Sequence, residues 1–76
     1  MESDKDAFLK SFGTHLKRLR IEHGLSTIEM AKRMLMDSGN YTRLETGKTN
    51  PTIYTLKKFC HVLGISLNDL TQNLDK

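Results

Sequence analysis

Apolar residues recur along the chain with a helical period, in five separate stretches. Phe12, Leu16 and Leu19 fall at i, i+4 and i+7, on one face of a first helix that leaves Lys10, Lys17 and Arg18 off that face. Gly24 follows His23 and suits a C-terminal cap. Leu25 then leads into Ser26-Thr27-Ile28-Glu29, which reads as a capping box opening a second helix with Met30, Ala31 and Met34 on its buried stripe. A third helix needs an N-cap near Asp37 and inward contacts at Tyr41 and Leu44, and it ends at Gly47. Asn50-Pro51 is a turn dipeptide, and Thr52 caps a fourth helix whose apolar side is Ile53, Leu56, Cys60 and Leu63, extended by Phe59. Past Gly64, Ser66-Leu67-Asn68-Asp69 repeats the capping logic for a fifth, with Leu67, Leu70 and Leu74 as its stripe. No stretch alternates with a period of two. The pattern predicts an all-α domain of five short helices spanning residues 8–76, behind a flexible, polar N-terminus over residues 1–7.

Size and composition narrow the function. A chain of 76 residues supports one domain at most and leaves no room for a catalytic cleft beside a scaffold. A net charge of +3 permits a polyanionic partner without demanding one. The one cysteine, Cys60, excludes an internal disulfide and fits a reducing cytoplasm. No apolar run reaches transmembrane length, and the acidic start MESDKDAF lacks the basic region of a signal peptide. Cys60, His61, His15 and His23 offer no pair with chelating spacing, so neither metal nor another cofactor is expected. No nucleophile–base constellation is visible, and no enzymatic activity is expected.

Asp37-Ser38-Gly39-Asn40 has the composition of a turn. By composition alone it is either a solvated loop between two helices or the leading end of a helix that touches a partner. The segments FGTHLKRLRIEHGLSTIEMAKRM, NYTRLETGKTNPT and LKKFCHVLGISLNDL resemble the Xre-type helix-turn-helix family of phage repressors and bacterial regulators. The resemblance covers roughly residues 8 to 71. Its most specific part is the ordered set Leu25-Ser26, Ala31, Leu44-Glu45, Gly47-Lys48, Asn50-Pro51 and Leu63-Gly64.

The resemblance implies a lambda-repressor-like fold whose third helix lies in the major groove of double-stranded DNA. Asp37 becomes that helix's N-cap. Ser38, Gly39, Asn40, Thr42 and Arg43 become the base-reading candidates, with Arg43 able to fork onto guanine O6 and N7. The helix N-terminus, with its free N–H groups, suits phosphate. Phosphate contacts carried over from the family fall on Thr27, Thr46, Lys48 and Thr49. Arg20 and Glu45 occupy the positions of a structural ion pair between the first and third helices. The implied partner is a pseudo-palindromic operator bound by a homodimer, with Leu74 on the last helix as the dimer candidate and no small-molecule ligand or membrane involved.

The chain departs from the family at three positions. Thr27 stands where glutamine is usual, and Leu35 where the turn usually has glycine. Gly39 removes a side chain from a usual reading position. A left-handed Leu35 would be strained, so the second helix is expected to run on or the turn to take another path. Two alternatives to a plain regulator stay open: a protein-interaction module such as an antitoxin, and the controller protein of a restriction–modification system.

Overall fold

Each helix of the computed structural model, which describes residues 3–72 and Leu74, starts on a side-chain cap. The helices are α1 (Asp4–Glu22), α2 (Thr27–Arg33), α3 (Ser38–Glu45), α4 (Ile53–Leu63) and α5 (Leu67–Thr71). Their caps are Ser3, Ser26, Asp37, Thr52 and Ser66, each accepting a hydrogen bond from an N–H of the first turn. Such a cap contributes about 1 kcal/mol, which matters for helices this short. No strand occurs among the described residues, and the all-α expectation of five short helices holds.

One boundary and one capping contact differ from the sequence reading. α1 starts at Asp4, inside the stretch read as a polar tail, because Ser3 accepts from the Asp6 N–H at 3.1 Å and Asp4 and Asp6 suit the positive end of the helix. The apolar period starts only at Phe8 and could not reveal that turn. Ser26 caps α2, but Glu29 does not reach back; its carboxylate takes the Arg33 Nε at 3.1 Å instead. The complete capping box belongs to α5, where Ser66 and Asp69 bond reciprocally at 3.0 and 3.1 Å.

α1 through α4 end alike. In each, a residue at the cap (α4) or just past it (α1 to α3) is left-handed, and two backbone bonds close back over the last turn. Gly24, Gly47 and Gly64 supply that conformation for α1, α3 and α4. For α2 it is Leu35, at φ 57°. The Leu35 N–H donates to the Lys32 carbonyl at 3.1 Å and the Met36 N–H to the Ala31 carbonyl at 3.0 Å. The turn therefore follows the ordinary helix-turn-helix path, contrary to the expectation of a longer helix or a different turn. Leu35 itself takes the strained conformation, at a cost of about 1–2 kcal/mol, and stands 87% exposed.

The core gathers Phe12 and Leu16 of α1, Met30 and Ala31 of α2 with Met34, Tyr41 and Leu44 of α3, Phe59, Cys60 and Leu63 of α4, and Leu70 of α5. α3 is wedged between α1 and α2, which fixes its orientation from both sides. Two apolar placements are corrected. Ile53, read as part of the α4 core face, is 70% exposed at the first turn of that helix. Leu74, read as the exposed dimer candidate, packs against the core, whereas Leu67 is 38% exposed. α5 stops at Thr71, so Leu74 lies beyond the helix, where it lines an apolar groove with Phe8, Phe12 and Leu56.

α5 is tied to α1 through His15. Its Nδ1 lies 2.7 Å from an Arg18 guanidinium nitrogen, which has no acceptor to offer, so Nδ1 must accept. The proton therefore sits on Nε2, which donates to the Leu70 carbonyl at 2.8 Å.

Candidate nucleic-acid interface

The expected ion pair is present and buried. Arg20 and Glu45 are 7% and 9% exposed, and the guanidinium forks onto the carboxylate, Nε to Oε2 at 2.6 Å and NH2 to Oε1 at 3.1 Å. The remaining Arg20 nitrogen donates to the Leu25 carbonyl at 2.7 Å, which ties the same side chain to the start of α2. The sequence reading did not foresee the third member: the fully buried Tyr41 hydroxyl donates to Glu45 Oε2, one helical turn away on α3. Among the described residues no buried side-chain nitrogen or oxygen lacks a partner. The Glu45 bond raises the Arg20 pKa above its ordinary value. Burial first, and then the bond to Glu45, raise that of Tyr41. This network anchors α3 to α1 on the inward face of α3.

The outward face carries the base-reading candidates. Ser38, Gly39, Asn40, Thr42 and Arg43 are all exposed. Arg43 stands between two shallow hollows. One is lined by Gly39, Thr42, Thr46 and Lys48, the other by Asn40, Thr49, Asn50, Thr52 and Thr55. Its guanidinium has no hydrogen-bond or ion-pair partner among the described residues. Such a cation, on the exposed ridge of a helix held by its other face, is free to fork onto an acceptor pair. Asn50, Thr52 and Thr55 reach this surface only because the chain folds back from α3 to α4, and nothing in their linear spacing announces it.

The end of α3 differs from expectation. Asp37 Oδ2 accepts from the Gly39 N–H at 2.9 Å and from the Asn40 N–H at 3.2 Å. Those two donors are therefore not available to phosphate. A Cβ on Gly39 would come within 2.9 Å of the same oxygen, so the glycine leaves room for the cap. Among the phosphate candidates, Thr46 gives its hydroxyl proton to the Thr42 carbonyl at 3.0 Å, and Thr42 does the same to Ser38 at 2.9 Å. The hydroxyls of Thr27 and Thr49 have no partner among the described residues, and neither has the Lys48 ammonium. Lys48 is exposed, and its backbone N–H is bonded to the Arg43 carbonyl at 2.9 Å, which fixes it three residues past the end of α3.

No helix among the described residues is long and apolar enough to cross a membrane, and no group of three potential metal ligands occurs among them.

Comparison with known proteins agrees with this geometry. A family model described as helix-turn-helix matches residues 16–70. The chain is 36% identical over 66 residues to the control protein C.MunI of a Mycoplasma species, covering 86% of this chain and 89% of that one. It is 34% identical over 67 residues to y4dJ of Sinorhizobium fredii, an uncharacterised HTH-type transcriptional regulator, covering 88% and 87%. The crystal structure of the clp gene regulator ClgR from Corynebacterium glutamicum superposes with a TM-score of 0.82 at 25% identity, over 90% of this chain and 87% of that one. The chain belongs to the Xre-like helix-turn-helix family and is a DNA-binding transcriptional regulator.

Proposed function

We propose that the protein binds a pseudo-palindromic operator as a homodimer in the cytoplasm, laying α3 into the major groove of each half-site. The single observation that carries this is Arg43: exposed, unpaired, and raised on the outer ridge of a helix whose inner face is locked by Arg20, Glu45 and Tyr41. Ser38, Gly39, Asn40 and Thr42 flank it as the rest of the reading surface. Lys48, Thr27 and Thr49 set the register on the backbone, and Thr46 joins them only by releasing its bond to Thr42.

Binding selection from random duplex DNA tests this, with the unsubstituted protein and Arg43→Ala side by side. Enrichment of a palindrome, with loss of preference at one base pair per half-site in Arg43→Ala, is the expected result, corresponding to about 1–3 kcal/mol of discrimination. If nothing enriches, sequence-specific reading is wrong.

Of the alternatives, the controller reading has an observation in its favour, the 36% identity with a protein named as a control protein along most of both chains. Restriction and modification genes encoded beside this one would establish it. The antitoxin reading has no such support.

A further inference from the structure

The cations left over by the ion pairs are unevenly placed. Arg18 is held by Glu22 and His15, Arg20 by Glu45, Arg33 by Glu29, and the Lys58 ammonium lies 5.6 Å from the Tyr54 ring centre. Arg43, Lys48 and Lys5 have no side-chain partner among the described residues. Lys17, Lys32 and Lys57 have none either, but they line neither of the hollows that meet at Lys48. One of those hollows is the Arg43 flank of α3. The other is lined by Lys48 and Thr49 together with Lys5, Asp6 and Lys10 of α1.

Two close backbone approaches hold α1 there. A Cβ on Gly13 would come within 2.4 Å of the Glu45 carbonyl oxygen, so α1 crosses the end of α3 with no side chain between them. A Cβ on Gly47 would come within 2.6 Å of the Lys10 Cα, so the residue before Lys48 lies directly on the α1 backbone. The first turns of α1 are thus fastened beside the segment that carries Lys48. Their lysines extend the cationic surface past the family's motif, outside the matched residues 16–70.

We propose that the DNA-backbone surface continues from Lys48 across Gly47 onto the first turns of α1, where Lys5, with Lys10 beside it on the same hollow, binds a phosphate of the duplex adjoining the one Lys48 takes. This rests on the DNA reading above. A flexible ammonium suits the role, since a phosphate met there needs charge and not a fixed fork. Asp6, on the same rim, opposes the anion and gives the surface a sign that can be tested in both directions.

The experiment measures affinity against salt for the operator selected above and for a scrambled duplex. The variants are Lys5→Gln/Lys10→Gln, Asp6→Asn, and the charge-matched control Lys57→Gln/Lys58→Gln on α4. Each phosphate contact contributes about 0.9 to the slope of log affinity on log salt. The α1 double variant should flatten that slope by about 0.9 per protomer, weaken both duplexes by the same factor, and leave the selected sequence unchanged. Asp6→Asn should tighten both duplexes. If the double variant loses helicity, Lys5→Gln alone carries the test, since Lys5 is exposed and unpaired. An unchanged slope, or an equal flattening in the α4 control, overturns the proposal while leaving the DNA reading intact. Failure of the unsubstituted protein to bind any duplex overturns both.

Discussion

Leu35 is the residue where this chain departs most plainly from the chemistry its turn demands. Its neighbours in role, Gly24, Gly47 and Gly64, carry no Cβ and adopt the left-handed cap freely. Leu35→Gly should relieve about 1–2 kcal/mol of strain and return about 0.5–1 kcal/mol to the unfolded chain as entropy. Because Leu35 buries little, the net expected effect is a stabilisation of up to about 1.5 kcal/mol, read as a higher denaturant midpoint with unchanged slope. A lower midpoint would mean that the leucine makes a contact worth more than its strain. Gly47 gives the opposite case. Its φ of 75° and its approach to Lys10 both refuse a side chain, so Gly47→Ala should cost more than Gly24→Ala, where a Cβ meets open space at φ 75°. Equal losses in the two variants, by thermal melting, would show that α1 can step back from α3. The family register points to this position and to its strain, but the strain is itself a reason to expect another path. A rule that assigns left-handed positions to glycine steers the reading away from a leucine that accepts the cost.

At the scale of the element, the inward face of α3 was legible for two different reasons. Its inward stripe of Tyr41 and Leu44 follows from helical spacing, and its ion pair follows from family register. The Tyr41 hydroxyl was missed because a tyrosine on a core stripe is read as a ring, and its oxygen has a destination only once Glu45 is placed against Arg20. Removing one partner of that buried pair, as in Glu45→Ala, should cost about 3–5 kcal/mol because the Arg20 charge is left buried. Tyr41→Phe removes one bond while the pair survives, and should cost about 1–2 kcal/mol. The raised Tyr41 pKa also predicts the shape of alkaline unfolding. The folded state holds the phenol protonated more tightly than the unfolded state, where it ionises near its ordinary value of 10.0. The stabilisation is full below pH about 10 and is lost as pH rises beyond it. Cys60 adds a loss of the same sign from its ordinary value of 9.0, because burial and then Asp69 raise its pKa. Tyr41→Phe should therefore be less stable near neutrality yet flatter with pH above about 10. Parallel stability curves for the two proteins would remove the tyrosine from the alkaline transition.

At the scale of the whole molecule, the sequence conveyed α3 but not the outline of the candidate surface around it, because that outline is made by chain reversal. Asn50, Thr52 and Thr55 come beside Arg43 through the α3–α4 connection, and Lys5 comes beside Lys48 through the crossing of α1 over α3. The dimer is the part least determined by one chain. Leu74 is engaged with its own core, so the apolar surface left near the C-terminal helix is Leu67. Under the proposed dimeric binding, two copies of α3 must face the same side of the duplex with half-sites centred about 34–36 Å apart, one helical turn. Inserting about five base pairs between the half-sites rotates one of them by roughly half a turn, to the far side of the DNA. A dimer joined through short, packed helices cannot follow it. Affinity should then fall to that of an isolated half-site, measured by gel shift against the uninterrupted operator, while each half-site alone keeps its Arg43-dependent base preference. Undiminished affinity after insertion would mean that protomers bind independently, and that operator symmetry reflects two monomers and not one dimer.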